Sequence, residues 1–486
     1  MSVLALDAGT TGVTALAVEI DGSVSARGYR EFAQHYPRPG WVEHEPEQIW
    51  AALLAAAAQA VAEAATPPVA VGVTGQRETV VLWRRSDLSA PRPAIVWQDR
   101  RSAELCAELR SAGSEALVSA TTGLRLDPYF SGTKLRWLAA EEPGTWAGVR
   151  SGEIAIGTVD SYVVARLTAG ARHVTDPSHA SRTLLFDIRR GAWSSEMCDL
   201  FGVPLAALPE VVDSSGVCGT TDPGAFLGLD LPIAGIAGDQ QSALFGQACF
   251  TPGESKCTYG TGSFLLVNTG TTPRTSDAGL LTTVAWRIGG VTTYALEGAI
   301  FVTGAAVQWL RDGLALIPTS SSVEELAASV PDSGGVVFVP ALTGLGAPDW
   351  DATARGAIFG LTRGSTGAHL ARATLEAIAF EVRDIVDVLP LTMPALTVDG
   401  GAAANDLLCQ LQADQLGVPV RRPRVLDTTG LGAAFLAGLA LELWPDTAAL
   451  RATWTLDREF AASPNTRGDG RHARWREGVE RAKGWA

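Results

Sequence analysis

Lysine is nearly missing from this chain of 486 residues. Only Lys134, Lys256 and Lys483 occur, and arginine carries the rest of the positive charge. No lysine follows a glycine, so the Walker A loop GxxxxGK[ST] is absent. GxGxxG is absent too, which excludes a Rossmann fingerprint and a protein-kinase glycine loop. Any phosphate must therefore be gripped by another device. The six cysteines are scattered without a CxxC pair and read as buried or free thiols of a reducing compartment. The six histidines form no HExxH, so a zinc site is not expected. The longest apolar run, IWAALLAAAAQAVAEAA (49–65), carries Gln59 and Glu63 and is too short to span a bilayer. The first residues, MSVLALDAG, start a strand with no basic leader, and a cytoplasmic location is the expectation. Positive charge is scarce overall. A net charge of −14 argues against nucleic acid and anionic membranes as partners. It does not argue against ATP, because backbone N–H groups and Mg²⁺ hold phosphates without net basic charge.

What is present is a repeated plan. Residues 3–35 read as two or three strands joined by tight turns, with LDAGTTG (6–12) as the first and DG (21–22) as another. EHEPEQIW opens a helix, with Pro46 suited to its first turn. VAVGVTGQ (69–76) is a buried strand ending in glycine. The same order returns later. KCTYGTGSFLLVNTG (256–270) is strand, Gly-Thr-Gly turn, strand, and GLLTTVAWRIGGVTTYALEG (279–298) adds two more strands. A helix follows from Gly304, then a strand into the double glycine of ALTVDGG (395–401), then another helix. Pro and Gly interrupt the pattern near 247–254, QACFTPGE. The expected units are residues 1–247, residues 255–445 and a helical extension over 446–486. Two α/β domains face each other across a cleft, as in the actin-like ATPases, and closure of such a cleft excludes water before phosphoryl transfer.

The chemistry gathers at glycine turns and strand ends. In LDAGTTG the glycines let backbone approach a ligand, and Thr10 and Thr11 offer hydroxyls and N–H groups. Asp7, at the strand end, can orient water around Mg²⁺. A plain hairpin is the bland alternative; the second hairpin, with Thr261 at its tip, shifts the balance toward a shared phosphate chain. Gly401, in the turn VDGGAAAN (398–405), and Gly304 with Gln308 are weaker nucleotide candidates. Asp239, after the strand of GIAGDQQSALFG, could take a proton from a substrate hydroxyl, or it could simply cap the following helix. Arg77 and Glu78, in GQRET, end a buried strand. Such ends often face solvent, but in open α/β sheets they are where ligands sit.

These stretches, together with AIVWQDRR, TGLRLDPYFSGTK, HVTDPSHASRT and TGLGAPDWD, resemble the FGGY carbohydrate kinases along nearly the whole chain. GQRET, DPYFSGTK and GDQQSALFG in combination are similar to the glycerol kinases within that family. The resemblance implies two duplicated RNase H-like (actin-like ATPase) domains flanking a catalytic cleft. It implies glycerol and ATP as substrates, Mg²⁺ as the metal, and a homo-oligomer, dimer or tetramer, with no nucleic-acid or membrane partner. Asp239 matches the catalytic base. Arg77, Glu78, Tyr129, Asp239 and Gln240 match glycerol ligands, and Trp97 and Phe264 match the apolar wall. Thr10, Thr11, Gly12, Thr261, Gly304, Gln308, Gly401 and Asn405 fall on nucleotide positions, and Asp7 on the Mg²⁺-associated acid. The family loop usually continues Gly-Thr-Thr-Ser-Ser-Arg. Here Gly12 replaces a hydroxyl and Thr14 replaces the arginine. Alternatives within reach are a kinase for another small polyol or a ketose, a weakly active homologue with a sensing role, and an ATPase acting on a protein partner.

Overall fold

The computed structural model describes residues 1–464, 467 and 470–485. The chain opens on β1 (Ser2–Ala8), β2 (Gly12–Glu19) and β3 (Val24–Glu31), neighbours in an antiparallel ladder. α1 (Pro46–Glu63) follows with proline in its first turn, where the missing N–H costs no intrahelical bond. Its buried stripe of Ile49, Leu53, Ala56 and Ala60 repeats at helical spacing and lies on the hairpin strands. β4 (Pro68–Gly75) returns parallel to β1. Further on come α2 (Val159–Leu167), β5 (Ser215–Thr220), β6 (Pro232–Gly238), parallel to β4, and α3 (Asp239–Gly246).

The second half repeats this order. β7 (Ser255–Tyr259) and β8 (Ser263–Gly270) form the second hairpin, and β9 (Leu281–Ile288) and β10 (Val291–Ile300) extend it. α4 (Gly304–Asp312) and α5 (Gly367–Asp387) lead to β11 (Leu396–Asp399), parallel to β7. α6 (Asp406–Leu416), β12 (Val420–Pro423) and α7 (Thr428–Ala440) complete it.

All thirteen of these strands belong to one sheet, with β13 (Leu456–Phe460) at its edge. The order is β13-β12-β11-β7-β8-β10-β9-β5-β6-β4-β1-β2-β3. The series β2–β1–β4–β6 in one half therefore matches β8–β7–β11–β12 in the other. The halves meet between β5 and β9 through a single residue pair, Ser215 with Ile288. α1 and α2 cover the outer face of the first half, and α5 and α6 that of the second. Between the halves α3 and α7 pack on each other, with Leu244, Phe245, Leu431, Ala433, Ala434 and Ala437 in one apolar core. This is the duplicated plan read from the sequence.

The extension over 446–486 differs from its expectation. It ends in α8 (Arg471–Ala482), as a helical segment should, but it also supplies β13, which pairs antiparallel with β12. Leu456–Phe460 is polar and short, so its sequence carries no strand period to read. The pairing with β12 makes it a strand. Among the described residues no helix is long and apolar enough to cross a membrane. The six cysteines are buried and unpaired.

Candidate active site

Both hairpin tips face one pocket of about 140 Å³. Thr10 lines it from the first, Gly260, Thr261 and Gly262 from the second, and Arg77, Glu78, Trp97, Tyr129, Asp239, Gln240, Thr258 and Phe264 complete it. Every acceptor-side residue expected from the sequence is thus in one place.

The strand ends put them there. β4 stops at Gly75, and Arg77 and Glu78 follow at its carboxyl end. Glu78 takes a left-handed backbone, φ +61°, which costs a non-glycine residue about 1–2 kcal/mol. Arg77 is held by four neighbours. Its Nη1 lies 2.5 Å and its Nη2 3.1 Å from the Glu297 carboxylate, and its Nε lies 3.2 Å from Asp239 Oδ1. Nη1 also donates to Gln241 Oε1 at 3.3 Å, and Nη2 to the Tyr129 hydroxyl at 3.4 Å. The arginine stem passes over Gly238, where a Cβ would sit 2.8 Å from its Cδ. Glycine at the end of β6 is what lets Arg77 and Asp239 meet. Asp239 begins α3, a quarter of its side chain exposed to the pocket. Its Oδ1 also accepts from the Gln240 N–H at 2.7 Å. Its Oδ2 has no hydrogen-bond partner among the described residues.

The apolar wall is built by rings. Trp97 stands edge-on to Tyr129 at 5.7 Å and to Phe264 at 6.0 Å, and Arg77 lies over the Phe264 ring at 5.6 Å. Trp97 Nε1 donates to Thr10 Oγ1 at 2.9 Å, which ties the wall to the first hairpin.

Four residues that the sequence reading left without a role hold this pocket. Arg182 Nε donates to Glu78 Oε1 at 2.6 Å and its Nη2 to Glu297 Oε1 at 2.8 Å. Burial lifts the Glu297 carboxyl, but the Arg182 and Arg77 guanidiniums outweigh it and hold the group below its usual range. Glu78, with only Arg182 close and Arg77 at 3.9 Å, is left above that range by burial. Lys256 Nζ, buried beneath the floor, donates to Gln240 Oε1 and, at 2.8 Å, to Thr258 Oγ1. Burial pulls its ammonium below the usual value despite the charge of Asp399. Lys134 Nζ binds the carbonyls of Pro128, Tyr129 and Phe130 at 2.8, 2.5 and 3.3 Å, which fixes the loop carrying Tyr129. Arg182 lies in HVTDPSHASRT and Lys134 in DPYFSGTK, stretches that stood out. Glu297 is the one charged residue of the apolar run YALEGAIF, a signal that could have found it.

The residues expected to meet a nucleotide are more open. Thr11 and Thr261 are exposed at the two tips, while Gly12 and Gly262 are buried behind them. Gly12 is fixed by its neighbour, because a Cβ there would lie 2.8 Å from the Tyr29 hydroxyl and 2.7 Å from the Arg30 carbonyl. Gly304 N–H donates to the Gly260 carbonyl at 3.0 Å, so α4 starts against the second hairpin, and Gln308 is exposed one turn on. Gly401 is exposed with open space above it. Asn405 has a capping task, its Oδ1 accepting from the Leu408 N–H at 2.8 Å. Asp7 is only partly covered as a residue, yet its Oδ1 is sealed from water and has no hydrogen-bond partner. Burial, then the charges of Asp239 and Asp427, push its carboxyl up to about 8. An orphaned, electrostatically uncomfortable carboxylate beside a glycine–threonine hairpin suits a hydrated divalent cation.

Sequence profiles of the FGGY family of carbohydrate kinases match the chain twice, the N-terminal domain over residues 2–246 and the C-terminal domain over 255–441. The chain belongs to this family. It is 56% identical to a glycerol kinase of Aromatoleum aromaticum, with 99% of each chain covered. It is 54% identical to a glycerol kinase of Dechloromonas aromatica, over 100% of this chain and 98% of that one. The crystal structure of Plasmodium falciparum glycerol kinase with ADP superposes with a TM-score of 0.89 at 33% identity, covering 99% of this chain and 98% of the other.

Proposed function

We propose that the protein transfers the terminal phosphoryl group of ATP to a primary hydroxyl of glycerol, giving ADP and sn-glycerol 3-phosphate. One observation carries the reading. A small pocket between two glycine–threonine hairpins is lined by a guanidinium, two carboxylates and the rings of Trp97 and Phe264. A short polyol needs donors and acceptors for its hydroxyls and an apolar surface for its carbons. The full-length identity to glycerol kinases points the same way.

Arg77, Glu78, Tyr129 and Gln240 bind the hydroxyls in this reading. Glu297 and Arg182 hold Arg77 and Glu78 in place, so no reorganisation is needed as the reaction proceeds. Asp239 is the catalytic base. Arg77 and the Gln240 N–H hold one of its oxygens and leave the other to accept the proton of the attacking hydroxyl. Thr10, Thr11, Gly12 and Thr261 receive the phosphates, while Gly304, Gln308, Gly401 and Asn405 hold the nucleoside end. Asp7 would hold the Mg²⁺ that accompanies ATP, and that ion supplies charge neutralisation on the phosphate oxygens. Trp97 and Phe264 exclude water from the acceptor.

The test is ADP release from Mg²⁺-ATP with glycerol, with a panel of polyols and ketoses, and with no acceptor. Turnover with glycerol far above all others is expected. A strong preference for another polyol or a ketose would move the substrate, and hydrolysis without any acceptor would overturn the kinase reading.

A further inference from the structure

We propose that Arg27 and Tyr29, on β3, form a contact for the terminal phosphates of the nucleotide beside the first hairpin. The inference rests on the kinase reading above and adds to it two residues from outside the hairpin.

The strand register carries the placement. Asp7 lies opposite Thr14, Thr14 opposite Tyr29, and Leu16 opposite Arg27. Residues directly opposite one another in an antiparallel pair share a face. All five therefore share one face, and Leu16 identifies it, because its side chain packs against Gly430 of α7. Arg30 lies on the other face and reaches Gln59 of α1. Asp7, Thr14 and Tyr29 thus form a row across three adjacent strands just behind the hairpin tip. Neighbouring strands are about 4.8 Å apart, so the row is within the span of a phosphate chain and an arginine side chain.

The side chains are poised for an anion. The Tyr29 hydroxyl stands at the base of the hairpin, in the space a side chain at residue 12 would fill. It has no hydrogen-bond partner among the described residues and can donate. The Arg27 guanidinium lies over the Tyr29 ring at 5.4 Å. Its Nε meets Asp427 Oδ2 at 3.2 Å, with the two side chains 47% and 42% exposed. A pair so wet contributes little, so Arg27 can exchange Asp427 for a multiply charged phosphate, to which its planar fork is well matched. At the end of the row the sealed, unpartnered Oδ1 of Asp7 marks where a cation travelling with that phosphate would sit.

Calorimetric titration of the full chain with ADP and with adenosine tests this, using wild type, Arg27→Ala, Arg27→Lys and Tyr29→Phe. Arg27→Ala should weaken ADP about tenfold, the size of one charge-assisted hydrogen bond, and leave adenosine unchanged. Arg27→Lys should recover part of the loss, and Tyr29→Phe should cost less than Arg27→Ala. The KM for ATP should rise in parallel while the KM for glycerol stays constant. Unchanged ADP affinity in Arg27→Ala, or equal weakening of ADP and adenosine, would overturn the proposal. If wild type used no acceptor while its ADP affinity still depended on Arg27, the acceptor assignment would fall and this one would stand.

Discussion

Two residues before the first hairpin glycine stands Asp7; two residues before the second stands Thr258. Two residues further back the first strand has Ala5 and the second Lys256, whose Nζ reaches forward to Thr258. The backbones repeat, with an exposed threonine at each tip and a buried glycine behind it. The charges do not. The first hairpin presents an unpartnered acid coupled to Asp239 and Asp427, and the second hides a base that braces Gln240. In the proposed reading the duplicated fold is divided into a side that would hold a cation and a side that steadies the acceptor. Asp239 stands between the two and feels both, since its charge enters the surroundings of Asp7 and of Lys256 alike.

The sharpest way to break this division is at its midpoint. Asp239→Asn should lower kcat by roughly 10²–10⁴-fold with the far-UV circular dichroism unchanged; near-normal turnover would remove the base from the scheme. Next comes the network that both sides lean on. Glu297→Gln leaves Arg77 and Arg182 short of a buried counter-charge, which should cost about 3–5 kcal/mol of stability, read from urea unfolding. A cost below about 1 kcal/mol, the scale of an exposed pair, would show that water reaches the cluster.

The acidic hairpin is probed by Asp7→Asn. In its proposed role beside Mg²⁺, its loss should cost about 10–100-fold in kcat. Its effect on stability has the opposite sign. The folded carboxyl, at about 8, lies above its ordinary value of 3.8. The folded state therefore holds its proton more tightly, and wild type loses stability as pH rises from about 4 to about 8. Asparagine removes that loss, so the variant should gain thermal midpoint at pH 8.5 and none at pH 4, measured without Mg²⁺. An equal shift at both pH values would contradict the burial of this acid. The smallest effect belongs to the basic hairpin. Lys256→Met removes the brace on Gln240 and should raise the KM for the acceptor about fivefold, one ordinary hydrogen bond, with the KM for ATP unaltered. A larger effect on ATP than on acceptor would reverse the roles assigned to the two hairpins.

Much of this site was legible because its residues sit at punctuation. Thr10, Arg77 and Asp239 follow strands, Asp7 is the last but one residue of β1, and each lies within two residues of a glycine, where backbone geometry and local sequence agree. The hairpins themselves were readable from alternation and turn residues. Arg182 and Glu297 were not, because their roles exist only in contacts with Arg77 and Glu78, which lie about a hundred or more residues away in the chain. Glu297 sits inside a strand that otherwise reads as core, and only the fold tells whether such a charge is paired. Lys256 was noticed for its rarity rather than its task. β13 was missed for a related reason, since a partner strand and not its own polar sequence makes it extended.

The seam between β5 and β9 has a mechanical meaning. Thirteen strands run side by side, yet the two leaves of the sheet are joined by one residue pair, while α3 and α7 lie beneath as a greased bearing of leucine, phenylalanine and alanine. Rotation about that seam sacrifices fewer ladder bonds than bending anywhere else in the sheet. A sheet joined by so narrow a spine can turn there at little cost in backbone pairing, which is the property a cleft needs if it is to open and close around its substrates.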